Sequence, residues 1–333
     1  MTTALESEPP PSVRAKRKSV VKGLIKTIRP HQWVKNLFVA APMFFHKDLF
    51  GTSGSGDPTL NLKVAGKAFL ATAVFCLLAG AVYTINDLVD VEADRVHPVK
   101  RDRPIASGAV PEPLARMFAG FLVLASFAIA LGTLRINDGK DLNLAFTACA
   151  AIYFIENIAY SFKLKKVAYL DVGLISFGFV LRVIAGGYAT ETKVSSYMIA
   201  CTALLALFLG FGKRRHELEG EKAGKQRAAL EAYSKGSLTA AMAITGVATV
   251  ATYVMYTLDP ATEAFFQTNK LWWTAPCTVF GVLRFLMLVS GRAGRGRKAE
   301  SPTQEMLSDV PFVLNLAVWV AIIVAIIYRL RPG

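Results

Sequence analysis

Charge is scarce in this chain, and negative charge scarcer still. Only 19% of its 333 residues are charged, and 24 Asp+Glu face 38 Lys+Arg, a formal balance of +14. An average soluble domain carries about a quarter charged residues. Together with 53% hydrophobic residues and a mean hydropathy of +0.40, this shortage excludes a disordered chain and argues against the pair of soluble domains that the length suggests. Cysteine is scarce too. Cys76, Cys149, Cys201 and Cys277 lie far apart inside apolar runs, with no CxxC or Cys/His spacing, which excludes a disulfide scaffold and a zinc site and leaves them as small hydrophobes. No Ser/His/Asp or Cys/His arrangement suggests a nucleophilic enzyme. A basic balance fits nucleic acid as a partner, but nucleic-acid binding does not account for apolar runs of near-bilayer length.

Those runs organise the chain. Residues 1–19, rich in Pro, Ser and Glu and then Arg/Lys, read as a disordered tail, not a signal peptide, because no compact apolar segment with a small-residue cleavage site follows. Residues 20–333 read as a single transmembrane domain. Val20, Val21, Leu24, Ile25 and Ile28 recur at helical spacing between Lys22, Lys26 and Arg29, a pattern for a helix lying on a bilayer surface. Apolar segments follow at about 36–47, 66–91, 112–134, 142–160, 168–189, 195–212, 237–257, 271–290 and 310–328, about nine spans of near-bilayer length. The first is the weakest, being short and containing Pro42. Counting alternate loops places about 27 basic residues on one side and about nine on the other. This bias predicts an all-α polytopic protein of the cell (inner) membrane, with its N-terminus and its polar clusters facing the cytoplasm as cap loops.

The sharpest cluster ends the second span: Asn86, Asp87, Asp90 and Asp94. Spacings of three and four residues put the three aspartates on one helical face, with Asn86 beside them. Like charges there repel, and a helix C-terminus disfavours them further. A cation must offset them, and hard oxygen ligands suit Mg²⁺, which keeps several waters and bridges to phosphates. The Pro- and Gly-punctuated loop just beyond carries Lys100, Arg101 and Arg103, cations suited to phosphate oxygens. A second cluster closes the fourth span, with Glu156 and Tyr160 on one face and Lys163, Lys165 and Lys166 after them. An ionisable residue in a span is a functional candidate. Glu156 is either a ligand or catalytic carboxylate or the structural partner of Arg182. A third cluster, Lys213-Arg214-Arg215-His216-Glu217, follows the sixth span.

The Asn86-Asp87-x-x-Asp90-x-x-x-Asp94 pattern, followed by Arg103-Pro104 and Ser107-Gly108, resembles the first aspartate-rich motif of the UbiA-type intramembrane transferase superfamily. Tyr160 with Lys163 to Lys166 resembles that superfamily's tyrosine-lysine element. The resemblance covers the chain from about residue 25 onward and implies a bundle of nine helices. Prenyl-transferring members usually carry a second acidic DxxxD motif after the sixth span, where this chain has Lys213-Arg214-Arg215-His216-Glu217. The opening Arg29-Pro30-His31-Gln32-Trp33-Val34-Lys35-Asn36 is similar to the start of one subfamily, the decaprenyl-phosphate phosphoribosyltransferases of actinobacterial cell-wall synthesis.

That resemblance implies transfer of 5-phosphoribose from phosphoribosyl diphosphate to a polyprenyl phosphate, with Mg²⁺ held by Asp87, Asp90 and Asp94. Glu156 would stabilise oxocarbenium character on the sugar. Lys35, Asn86, Arg101, Arg103, Tyr160, Lys163, Lys165, Lys213, Arg214 and Arg215 would bind the two anionic substrates. The lipid phosphate is anionic at neutral pH, so no general base is required. The rivals are a prenyltransferase acting on an aromatic or quinone-precursor acceptor, which should prefer a second acidic pair, and a transporter or lipid carrier without chemistry. Whether copies associate as a homo-oligomer is left open by the sequence.

Overall fold

The computed structural model describes residues 20–46, 49–52, 58–132, 134–136, 141–219, 232–290, 306 and 308–329. The expected tail 1–19, part of the loop after the sixth span and the basic Arg292–Lys298 loop lie outside these residues. Eight described helices are long and apolar enough to cross a bilayer. They are α3 (Leu62–Val89), α5 (Glu112–Gly132), α6 (Leu144–Phe162), α7 (Leu170–Thr190), α8 (Ser196–Glu219), α9 (Lys235–Leu258), α11 (Ala275–Val289, with the 3₁₀ turn Leu271–Thr274 before it) and α12 (Val310–Val324, running into Ala325–Arg329). Short helices α1 (Val20–Thr27), α2 (Ala41–Phe45), α4 (Val91–Val96) and α10 (Pro260–Phe266) join them. The described strands form two small antiparallel ribbons, Phe50–Thr52 with Pro58–Leu60 and Arg135–Ile136 with Asp141–Leu142.

The stretch expected as the weakest span is broken in two: an 11-residue 3₁₀ helix, Pro30–Ala40, followed by the five residues of α2. At about 2.0 Å and about 1.5 Å per residue these add to about 30 Å, the depth of a hydrocarbon core. Its contacts trace a traverse along α3. Arg29 pairs with Asp87 near the C-terminal end of α3, Asn36 bonds Cys76 midway, and Leu49 accepts from Asn61 at the start. The 3₁₀ piece packs on both α3 and α7. Gly186 makes this approach feasible, since a Cβ there would overlap the Val39 carbonyl. Neither piece is as long as the regular spans, and the first carries His31, Gln32, Lys35 and Asn36, so eight regular spans and one interrupted traverse account for the nine expected segments.

The expected surface helix of the N-terminal region ends at Thr27, and Arg29 adopts left-handed backbone geometry (φ 50°). Gly23 packs tightly against the Val110 side chain, where a Cβ would come within 2.6 Å.

Helix starts follow sequence-local capping. Asn61, Asn143 and Asp309 each accept a backbone N–H three residues on, and Ser234 and Ser237 form a reciprocal capping box. Of the apolar cores among the described residues, two are the largest. One gathers Val39, Phe75, Leu78, Phe146, Tyr153 and Leu181; the other gathers Val172, Phe208, Leu238, Met242 and Phe285. Phe69 and Leu124 are each 73% exposed on the outer surface, as suits side chains facing lipid.

Candidate active site

The helical ladder of α3 carries past its end into α4. Asp90 donates its backbone N–H to Asn86 (3.0 Å) and accepts from Asp94 (2.8 Å), so the chain bends at Asp90 (φ −90°, ψ 5°) without losing the shared face. Asp87 and Asp94 are both buried. They converge on one nitrogen, Arg103 Nη1, at 3.2 Å and 2.6 Å. Arg103 comes from the loop expected to lie beside the acidic face, and that loop is anchored by a small core of Val91, Ile105, Val110 and Ala115.

A second cation comes from far away in sequence. Arg29 Nη2 donates to Asp87 Oδ1 at 2.6 Å, and its guanidinium lies 4.8 Å from the Tyr83 ring centroid. Arg29 was absent from the sequence-based site; the signal was its place at the head of the Arg29–Asn36 motif. Burying two carboxylates requires such partners, because an unpaired buried charge is very costly.

Asp90 and Asn86 are half-buried beside the pair, while Lys100 and Arg101 are exposed. Asp87 and Asp94 meet on a single cationic atom, so the point their oxygens share is held by a guanidinium. Among the described residues no group of three or more His, Cys, Asp or Glu side chains is arranged to hold a metal ion. Carboxylates are the donor type that Mg²⁺ takes, usually one or two from protein with water and substrate oxygens completing its octahedron.

Across the bundle, Glu156 accepts from Asn157 at 2.8 Å. The alternative of a Glu156–Arg182 ion pair is not what the structure forms. Arg182, buried in α7, donates to Asn36 Oδ1 (2.9 Å), the Gly178 carbonyl (2.9 Å) and Tyr153 Oη (2.8 Å). Lys35 is half-buried on the 3₁₀ segment, with Lys213 and Arg182 as the charges that act on it. Lys35 and Lys213, both expected to bind substrate, are thus brought within electrostatic reach of each other, with Arg182, expected only as a partner for Glu156, as a third cation.

The remaining cations divide. Lys163 is exposed and Lys165 half-buried. Arg215 bonds Thr239 Oγ1 on α9. Arg214, expected to bind substrate, is wholly buried and salt-bridged to Asp171 (2.7 Å) and to Glu217; its third direction reaches Tyr160 Oη at 3.4 Å. Asp171 also accepts from the Tyr233 hydroxyl at 2.6 Å.

The family model described as "UbiA prenyltransferase family" matches residues 49–316. The chain belongs to the UbiA prenyltransferase family. Relatives align over nearly the whole chain. A decaprenyl-phosphate phosphoribosyltransferase of Mycolicibacterium smegmatis is 36% identical, covering 93% of this chain and 94% of that protein. Its namesake in Mycobacterium tuberculosis is 33% identical, covering 91% and 93%. In fold, this UbiA-family chain resembles a UbiA homolog from Archaeoglobus fulgidus solved with GPP and Mg²⁺, with a TM-score of 0.63 at 17% identity over 92% of this chain and 99% of that one. This UbiA-family member is therefore a multi-pass membrane transferase.

Proposed function

We propose that the protein transfers 5-phosphoribose from phosphoribosyl diphosphate to a polyprenyl phosphate, decaprenyl phosphate in the relatives' names, and releases diphosphate. The observation that carries this reading is the 36% identity, across 93% of the chain, to a decaprenyl-phosphate phosphoribosyltransferase. Two features of the chain support it. One acidic helix end suits a metal-bound diphosphate, and the residues after the sixth span are cationic where a prenyltransferase would usually have a second acidic pair.

Residues 20–333 act as one transmembrane unit with the site on the cytoplasmic side, in keeping with the Lys/Arg bias between loops. Asp87, Asp90 and Asp94 would hold Mg²⁺, which when bound neutralises charge growing on the leaving diphosphate. Arg103 and Arg29 neutralise Asp87 and Asp94 in the protein by itself, and both have hydrogen-bonding capacity for donor phosphate oxygens. Asn86 is placed for the same group.

A lipid phosphate oxygen attacks the anomeric carbon as the bond from that carbon to the diphosphate oxygen breaks. The attacking phosphate is already anionic, so the protein's task is to bring two anions together; Lys35 and Lys213, with Arg101, Lys163 and Lys165 nearer the surface, lower that repulsion. Glu156 stabilises positive character on the ribose ring. The test uses purified protein, Mg²⁺, polyprenyl phosphate and phosphoribosyl diphosphate labelled in the ribose. Label should pass into the lipid phase. Its absence, alongside reaction of a prenyl diphosphate with an aromatic acid, would overturn the reading.

A further inference from the structure

Arg214 is poorly placed to bind a phosphate. Its side chain is fully buried and salt-bridged to two carboxylates, Asp171 and Glu217. One guanidinium between two acids has no surplus charge to offer an anion. Its third direction nevertheless leads toward the site, since Nη2 donates to Tyr160 Oη at 3.4 Å. Tyr160 is half-buried, one turn along α6 from Glu156, and it opens the run leading to Lys163 and Lys165.

A guanidinium can only donate. The Tyr160 oxygen must therefore accept from Arg214, and its own proton is turned away from Arg214. Accepting from a charged donor also polarises the phenol and strengthens its O–H as a donor. The far end of the chain of contacts is buried and tied to several partners. Asp171 is completely buried and held by Arg214 Nε (2.7 Å), by the Tyr233 hydroxyl (2.6 Å) and by the Val172 backbone N–H (2.9 Å). Tyr233 in turn accepts from the Tyr169 backbone N–H at 2.6 Å.

We infer that Arg214 is a positioning residue: with Asp171 behind it, it orients the Tyr160 hydroxyl to donate to a phosphate oxygen of a substrate. The inference rests on the phosphate-transfer reading only in that the ligand carries a phosphate. The donor's diphosphate and the lipid phosphate share the required chemistry.

The experiment measures calorimetric affinity for two ligands, inorganic diphosphate with Mg²⁺ and farnesyl phosphate, in detergent-purified full-length protein and in Tyr160→Phe, Arg214→Lys and the double variant. Tyr160→Phe should weaken one of the two ligands about tenfold, the scale of one charge-assisted hydrogen bond. Arg214→Lys should weaken the same ligand similarly, and the double variant should be no more than about twofold worse than the worse single one. Which ligand responds identifies the phosphate. Independent losses that multiply in the double variant, no loss in Tyr160→Phe, or no binding of either ligand by the unaltered protein would each overturn the inference.

Should Arg214→Lys fail to fold, Glu217→Gln decides. It leaves the bond to Tyr160 in place, so affinity should stay within about twofold, whereas tighter binding by about threefold or more would show Arg214 itself gripping the anion. The labelled-donor assay is separate. Its failure would overturn the phosphoribosyl reading while leaving these binding results intact, because inorganic diphosphate is common to every diphosphate donor.

Discussion

Asp87 and Asp94 share one nitrogen of Arg103, and that small fact governs the chemistry expected of individual residues. Asp90 stands between them in sequence and is half-buried beside the two buried carboxylates. Asp90→Asn keeps the size and removes the charge, so it should lower kcat for label transfer by about a hundredfold or more while the thermal midpoint stays within a few degrees. Transfer at the unaltered rate would remove Asp90 from the metal site. Glu156→Gln separates catalysis from structure in another way. As Glu156 makes no ion pair with Arg182, the variant should fold normally and lose kcat with little change in KM for phosphoribosyl diphosphate; unchanged kcat would leave Glu156 without a catalytic role.

At the scale of elements, capping and apolar length made the regular helices readable in the sequence, and the aspartate spacing was readable because the ladder through Asp90 persists. The segment from Pro30 to Phe45 was less so. Its 3₁₀ form stretches 16 residues across a bilayer depth that an α-helix would need about 20 to cover, and this depends on the close approach of Val39 to Gly186 on α7. Gly186→Ala should force these elements apart and lower stability by about 1–3 kcal/mol, seen as a clear drop in thermal midpoint. It should also reduce transfer, because the same segment carries Arg29, Lys35 and Asn36. A variant as stable as the unaltered protein would show that the packing relaxes without cost.

For the whole molecule, the bias of Lys and Arg between alternate loops predicts one orientation in the membrane. Lys166 lies between α6 and α7, and Lys193 lies at the opposite end of α7; both are exposed. In intact cells a membrane-impermeant thiol reagent should label Lys193→Cys but not Lys166→Cys, which should react only after permeabilisation. The reverse pattern would turn the site outward.

The sequence by itself determined the membrane class, the number of apolar segments, the acidic face and its family resemblance, because these depend on run length and on spacing within single helices. Tertiary structure alone decided which charges meet. Arg29 reaches Asp87 across 58 positions, Arg182 turns to Asn36 across 146, and Arg214 is neutralised by Asp171. Buried charges must find partners wherever the packing of helices brings them, and no local pattern encodes that packing.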